Sequence, residues 1–166
     1  SSNNAIHTEY SLTLSTSKLI KGSVNYSLSG ANARQFLQNR PLEDDDPLLN
    51  SVISTHIGAE KNAIVTKSKI SKTTNFSANL TGSSNISTKI PDMGYNKFYL
   101  TAHTIVGKSF NKKIRSFRKY PKKLFAPITK TAKATITLPY NYKPKQMENI
   151  VKSDFGNYTL SWTAID

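Results

Sequence analysis

A chain of 166 residues has room for one domain with a real core and not for two comfortable ones. It contains no cysteine, which excludes disulfides and thiolate metal sites, and no apolar run near the roughly 20 residues that a membrane-spanning helix needs. Its net charge of +13 points to an anionic partner: a sulfated or sialylated glycan, an acidic protein surface, anionic lipid or nucleic acid.

The charge is unevenly placed. No Asp or Glu occurs between Asp92 and Glu148, an interval that holds thirteen of the twenty-three Lys and Arg residues. Ser, Thr and Asn are abundant, β-branched residues are frequent, and long Leu/Ala/Glu/Lys runs are lacking, which favours an all-β class. The first residues, Ser1-Ser2-Asn3-Asn4, read as the start of a mature chain after leader removal.

In chain order, the even positions Ile6, Thr8, Tyr10, Leu12, Leu14 and Thr16 alternate with the polar odd positions His7, Glu9, Ser11, Thr13 and Ser15. That is the period of a strand with one buried face. Residues 18–22 break the pattern, and a second strand follows with Val24, Tyr26 and Leu28 on one face. A short helix is expected over 31–38 with Ala33, Phe36 and Leu37 inward. The Pro-bounded stretch 41–47 carries four adjacent carboxylates, Glu43 to Asp46, without the alternate-residue ligands and Gly of a calcium loop. It reads as a solvated loop. Further strands are expected near 51–56, 63–67, 75–80, 97–106 and 132–138, the last with Ala132, Ala134, Ile136 and Leu138 on one face. Turn residues separate them at Thr81-Gly82-Ser83-Ser84, Pro91-Asp92-Met93-Gly94 and Gly107.

The stretch 108–125 interleaves Lys108, Lys112, Lys113, Arg115, Arg118, Lys119, Lys122 and Lys123 with Phe110, Phe117, Tyr120 and Phe125. Such a segment grips phosphates, sulfates or carboxylates. Its plainer reading is a long connection or edge strand whose aromatics reach the core while the cations keep it soluble. No catalytic constellation is visible. His7, His56 and His103 fall on separate expected strands without metal-ligand spacing, and neither a phosphate loop nor a nucleophile elbow occurs. The expectation is a non-enzyme without metal or cofactor. Asn-x-Ser/Thr triplets begin at Asn25, Asn75, Asn79, Asn85 and Asn157.

The final stretch alternates again, with Tyr158, Leu160, Trp162 and Ala164 separated by Thr159, Ser161 and Thr163. A short helical turn is expected before it, over 146–152. The Asp154-x-Gly156-x-Tyr158 that leads into it resembles the tyrosine corner at strand F of an immunoglobulin-like sandwich, and no strand G is expected after it. Together with the alternating N-terminal strand, this resembles a pilin of the chaperone–usher pathway. The resemblance implies an all-β, immunoglobulin-like sandwich that is incomplete and is finished by a donor strand. Residues 1–16 would be the donor extension and 17–166 the pilin domain. Ile6, Thr8, Tyr10, Leu12 and Leu14 would enter a neighbouring copy, and Tyr158, Leu160, Trp162 and Ala164 would line the acceptor groove. It also implies a periplasmic chaperone and an outer-membrane usher as partners, and a place in a fimbria on the bacterial surface. The basicity is atypical for a purely structural subunit and suggests adhesion to acidic host glycans or matrix protein through residues 108–123. Two other readings stay open: a monomeric extracellular immunoglobulin-like module that binds polyanions, and a nucleic-acid-binding or coat protein.

Overall fold

The computed structural model describes residues 4–38, 44–57, 63–74, 79–90, 129–140, 142, 148–153 and 156–161. The alternating N-terminal stretch forms strand β1 (Ala5–Leu14) and the next forms β2 (Leu19–Ser29). They pair antiparallel with Ile6 opposite Leu28, Tyr10 opposite Val24 and Leu14 opposite Ile20. Even positions meet even positions, so the two apolar faces coincide. Residues 15–18 close the hairpin: the Ser15 N–H donates to the Leu19 carbonyl at 2.9 Å and the Lys18 N–H to the Ser15 carbonyl at 3.0 Å. Lys18 sits at φ 63, in the left-handed region that side chains disfavour.

Helix α1 (Ala31–Gln38) lies where the sequence puts it, with Ala33 and Phe36 buried. The Leu37 side chain lies outside the described residues. The expected strand over 51–56 is corrected to a helix, α2 (Pro47–Ile57). Asp46 caps it: its Oδ1 accepts the Leu48 N–H at 2.7 Å and its carbonyl accepts the Asn50 N–H at 2.9 Å. Pro47 then takes the first helical position, where no N–H is needed. Leu49 and Ile53, four residues apart, are fully buried, which is helical and not strand spacing.

Strand β3 (Ile64–Thr74) is longer than the sequence suggests and carries bulges, with register shifts between Thr66 and Lys69 and between Ile70 and Lys72. The acidic loop is tied to the first bulge. Asp45 Oδ1 accepts the Lys67 N–H at 2.5 Å, and the Asp45 N–H donates to the Ser68 carbonyl at 2.8 Å.

The strand expected over 75–80 with a turn at 81–84 is also corrected. Strand β4 (Asn79–Lys89) runs straight through Thr81-Gly82-Ser83-Ser84, and residues 75–78 lie outside the described residues. The small residues are there for packing. A Cβ on Gly82 would collide with the Tyr26 hydroxyl and the Lys69 carbonyl oxygen, and the buried Ser84 hydroxyl meets that of Ser68 at 2.8 Å.

Strand β5 (Thr129–Thr137) pairs parallel to β1, with Thr8 beside Ala132 and Leu12 beside Ile136. The result is a mixed five-stranded sheet in the order β3-β4-β2-β1-β5. The helical turn expected over 146–152 is corrected to strand β6 (Glu148–Ser153), whose Ile150-Val151 pair suits a strand. It forms a two-stranded antiparallel sheet with β7 (Gly156–Ser161). The fold is all-β in class, with seven strands and two short helices among the described residues. Val24, Leu28 and Leu80 lie at the centre of the core, fully buried, with α1 packed on β2 and β4 and α2 on β3. Among the described residues no helix is long and apolar enough to cross a membrane. The expected strand over 97–106 and the turns at 91–94 and Gly107 lie outside the described residues.

Candidate functional site

Alternation in β1 divides its side chains cleanly between two surfaces. Thr8, Tyr10, Leu12 and Leu14 are buried and Ile6 is half-buried, in a slot between β2 and β5 of the same chain. On the β2 side the sheet carries α1, which packs on β2 and β4. On β5 the inward Ala134 and Ile136 are only half-buried, and Ala132 is exposed.

Tyr158 and Leu160, expected to line an acceptor groove, lie on β7, which pairs with β6: Val151 is opposite Tyr158 and Asn149 opposite Leu160. Strand β1 pairs with β2 and β5 instead. Trp162 and Ala164 lie outside the described residues, as do all eight basic residues of the stretch 108–123. His7 is exposed and its Nδ1 meets the Thr131 hydroxyl at 2.6 Å across the β1–β5 pair. The His56 side chain and His103 lie outside the described residues.

Two tyrosines line the inner face. Burial pushes the Tyr10 phenol up, and the Thr8 hydroxyl on the same face offsets part of this. Their contact falls short of full hydrogen-bond geometry, and both hydroxyls are buried without a partner among the described residues. Each such group costs about 1–3 kcal/mol. Tyr26 is better served. Its hydroxyl donates to the Lys69 carbonyl at 3.0 Å, and its pKa is pushed up to about 12 by burial, with the Asp44 charge adding to this and the Ser84 hydroxyl opposing it.

The folded state thus holds the Tyr26 proton beyond the ordinary value of 10.0. Its contribution is complete below that pH and is lost as pH rises toward about 12. Melting temperature plotted against pH should therefore fall more steeply over that window in the native chain than in Tyr26→Phe. Equal slopes would mean the phenol ionises alike in both states.

The opposite face of the sheet is open. His7, Glu9, Ser11 and Thr13 of β1 are exposed on it, as are Lys21 of β2, Lys69 of β3, Lys89 of β4 and Lys133 of β5. These four lysines are scattered along the chain and form no continuous basic stretch. The available signal was their position on the polar register of each strand. Three of the Asn-x-Ser/Thr triplets also fall here, at Asn25, Asn79 and Asn85, with the buried Tyr26, Leu80 and Ile86 as their middle residues. Alternation of this kind generates such triplets by itself. No protein-family model, curated protein or solved structure matches the chain.

Proposed function

We propose that the chain is a structural and adhesive subunit of a bacterial surface fibre. In this reading it is an immunoglobulin-like domain that polymerises when its N-terminal strand enters a neighbouring copy. The observation that carries the reading is the seat of β1. The strand fills a slot between β2 and β5 with Tyr10, Leu12 and Leu14, and is held to β2 through a turn whose Lys18 has left-handed backbone. A slot that fits the chain's own strand fits the same strand of a neighbour. Exchange keeps the ladder and the pocket contacts while opening the strained turn, which is the ordinary route to a strand swap. Because the contact is head to tail and does not close on itself, it makes a fibre. Within this proposal the partners are neighbouring copies and the chaperone and usher that hold the subunit before assembly. In this reading the slot that receives the strand lies between β2 and β5, so Tyr158, Leu160, Trp162 and Ala164 are not assigned to it, and the basic stretch 108–123 keeps its proposed role in adhesion.

The placement of β1 within its own chain favours a second reading, a monomeric polyanion-binding module in which that strand is permanent. One experiment separates the two. Ser11 and Ser23 are direct partners across β1 and β2, on the exposed face of a chain without cysteine. Chains carrying Ser11→Cys and Ser23→Cys singly are mixed and oxidised. Strand exchange predicts a mixed disulfide-linked dimer on a non-reducing gel. Mixed chains that stay monomeric, while the double variant closes its own internal disulfide, would leave the monomeric module.

A further inference from the structure

The exposed face of the five-stranded sheet carries a charge pattern that chain order hides. Cross-strand register places Lys69, Ser83, Asn25, Glu9 and Lys133 in one row over all five strands. At the usual ~4.8 Å between strands that row is about 19 Å long, with a lysine at each end. Lys21 pairs with Ser87 and Lys89 with Leu19, so two more lysines sit together at the end of the face where β1 turns into β2. All four lysines are exposed, and Glu9 is the one carboxylate among the described residues of this face.

We infer that this face binds an anionic polysaccharide chain. Lys21, Lys69, Lys89 and Lys133 contact its sulfate or carboxylate groups, and Asn25 and Asn85 contact its hydroxyls. Spread cations suit charges repeated along an extended polymer and not one compact phosphate group. Apart from Glu9, the row between the end lysines carries a hydroxyl and an amide, Ser83 and Asn25, which both donate and accept, as sugar hydroxyls require. The face lacks what other polyanions and surfaces need. Tyr10 and Tyr26 are buried on the opposite side and the exposed Tyr140 lies beyond the end of β5, so among the described residues no strand of this face presents an aromatic to stack on bases. Among the described residues Ile64 is its one large exposed apolar side chain, too little to enter a membrane surface. Lysines on the edge strands β3 and β5 also deter edge-to-edge pairing, a role that does not require a ligand. The inference deepens the adhesive half of the proposed function and rests on it, but not on strand exchange.

The test measures binding of heparin and hyaluronan oligosaccharides to the full chain in about 0.1 M salt, where surface charges still act over roughly 10 Å. Lys21→Ser, Lys69→Ser and Lys133→Ser combined should lower affinity about tenfold and flatten its salt dependence, since each exposed ion contact contributes modestly. Glu9→Gln should raise affinity about twofold by removing the repelling carboxylate of this row. An unchanged melting temperature in these variants assigns the effect to the surface. The inference is overturned if the native chain binds neither oligosaccharide or if the triple variant keeps full affinity. It is equally overturned if single-stranded DNA or mixed phosphatidylserine–phosphatidylcholine vesicles bind as tightly. A chain that fails to exchange strands but passes this test separates the two proposals.

Discussion

A chain beginning at Ser17 should lose cooperative unfolding, and a peptide of residues 5–16 should restore it. The reason lies in what β1 contributes. It buries Tyr10, Leu12 and Leu14 to within a few per cent of full enclosure. At about 1.5–3 kcal/mol for each large apolar side chain, that burial is comparable with the whole stability of a typical domain, about 5–15 kcal/mol. Its removal also strips ladder bonds from both neighbours. Strand β2 keeps β4, but β1 is the one described strand beside β5. The parallel strand is left unpaired at the edge of an opened core. Thermal melts followed by circular dichroism report the loss. Addition of the peptide should return a single sharp transition whose midpoint rises with peptide concentration, as mass action requires. A truncated chain that melts cooperatively at the native temperature would show that β1 is dispensable. A truncated chain that stays unfolded with excess peptide would count against strand exchange, because the slot would not then form around a separate strand.

Gly22→Val should destabilise the chain by about 3 kcal/mol, a large effect for one added side chain on a strand. Gly22 lies on the inner register of β2 directly opposite Leu12. A Cβ at this position would overlap the Ser11 carbonyl oxygen and come within 2.8 Å of the Leu12 Cα. Those are backbone atoms of β1, so no rotamer change relieves the clash and the two strands must separate. Val is otherwise well suited to a strand, so its own propensity opposes the effect. Lys21→Val, one residue away on the exposed face, should shift stability by no more than about 0.5 kcal/mol. Urea midpoints measured for both variants give the comparison. If both cost little, β1 does not lie against Gly22. In the truncated chain, Gly22→Val should also block rescue by the 5–16 peptide, since the same two backbones must meet.

Where the structure departs from the sequence expectation, short-range signals are outweighed by long-range pairing. Leu48-Leu49 and Val52-Ile53 look like strand material when taken a few residues at a time. Asp46-Pro47, a helix start, sits at the end of a run of carboxylates that has loop character. Gly82-Ser83-Ser84 has turn chemistry, yet the glycine is needed because Tyr26 lies over it from the neighbouring strand. Residues 146–152 suggest a helical turn, whereas pairing with β7 draws Glu148–Ser153 into a strand. The candidate site shows the same division. The buried register of β1, from Ile6 to Leu14, was legible because a strand with one covered face must alternate. Its neighbours were not, because a period-2 pattern says which face is apolar and not which strand lies alongside.

The β-rich class, the inward faces of β1 and β2, the helix α1 and the excess of positive charge are legible in the chain alone. These follow from composition and from repeats a few residues long. Only the tertiary structure decided that β5 lies parallel to β1, that α2 replaces a strand, and that Lys21, Lys69, Lys89 and Lys133 share one face. Pairing and register are chosen by competition among all strands for common burial and hydrogen bonds. Residues far apart in the chain become neighbours only once that competition is settled.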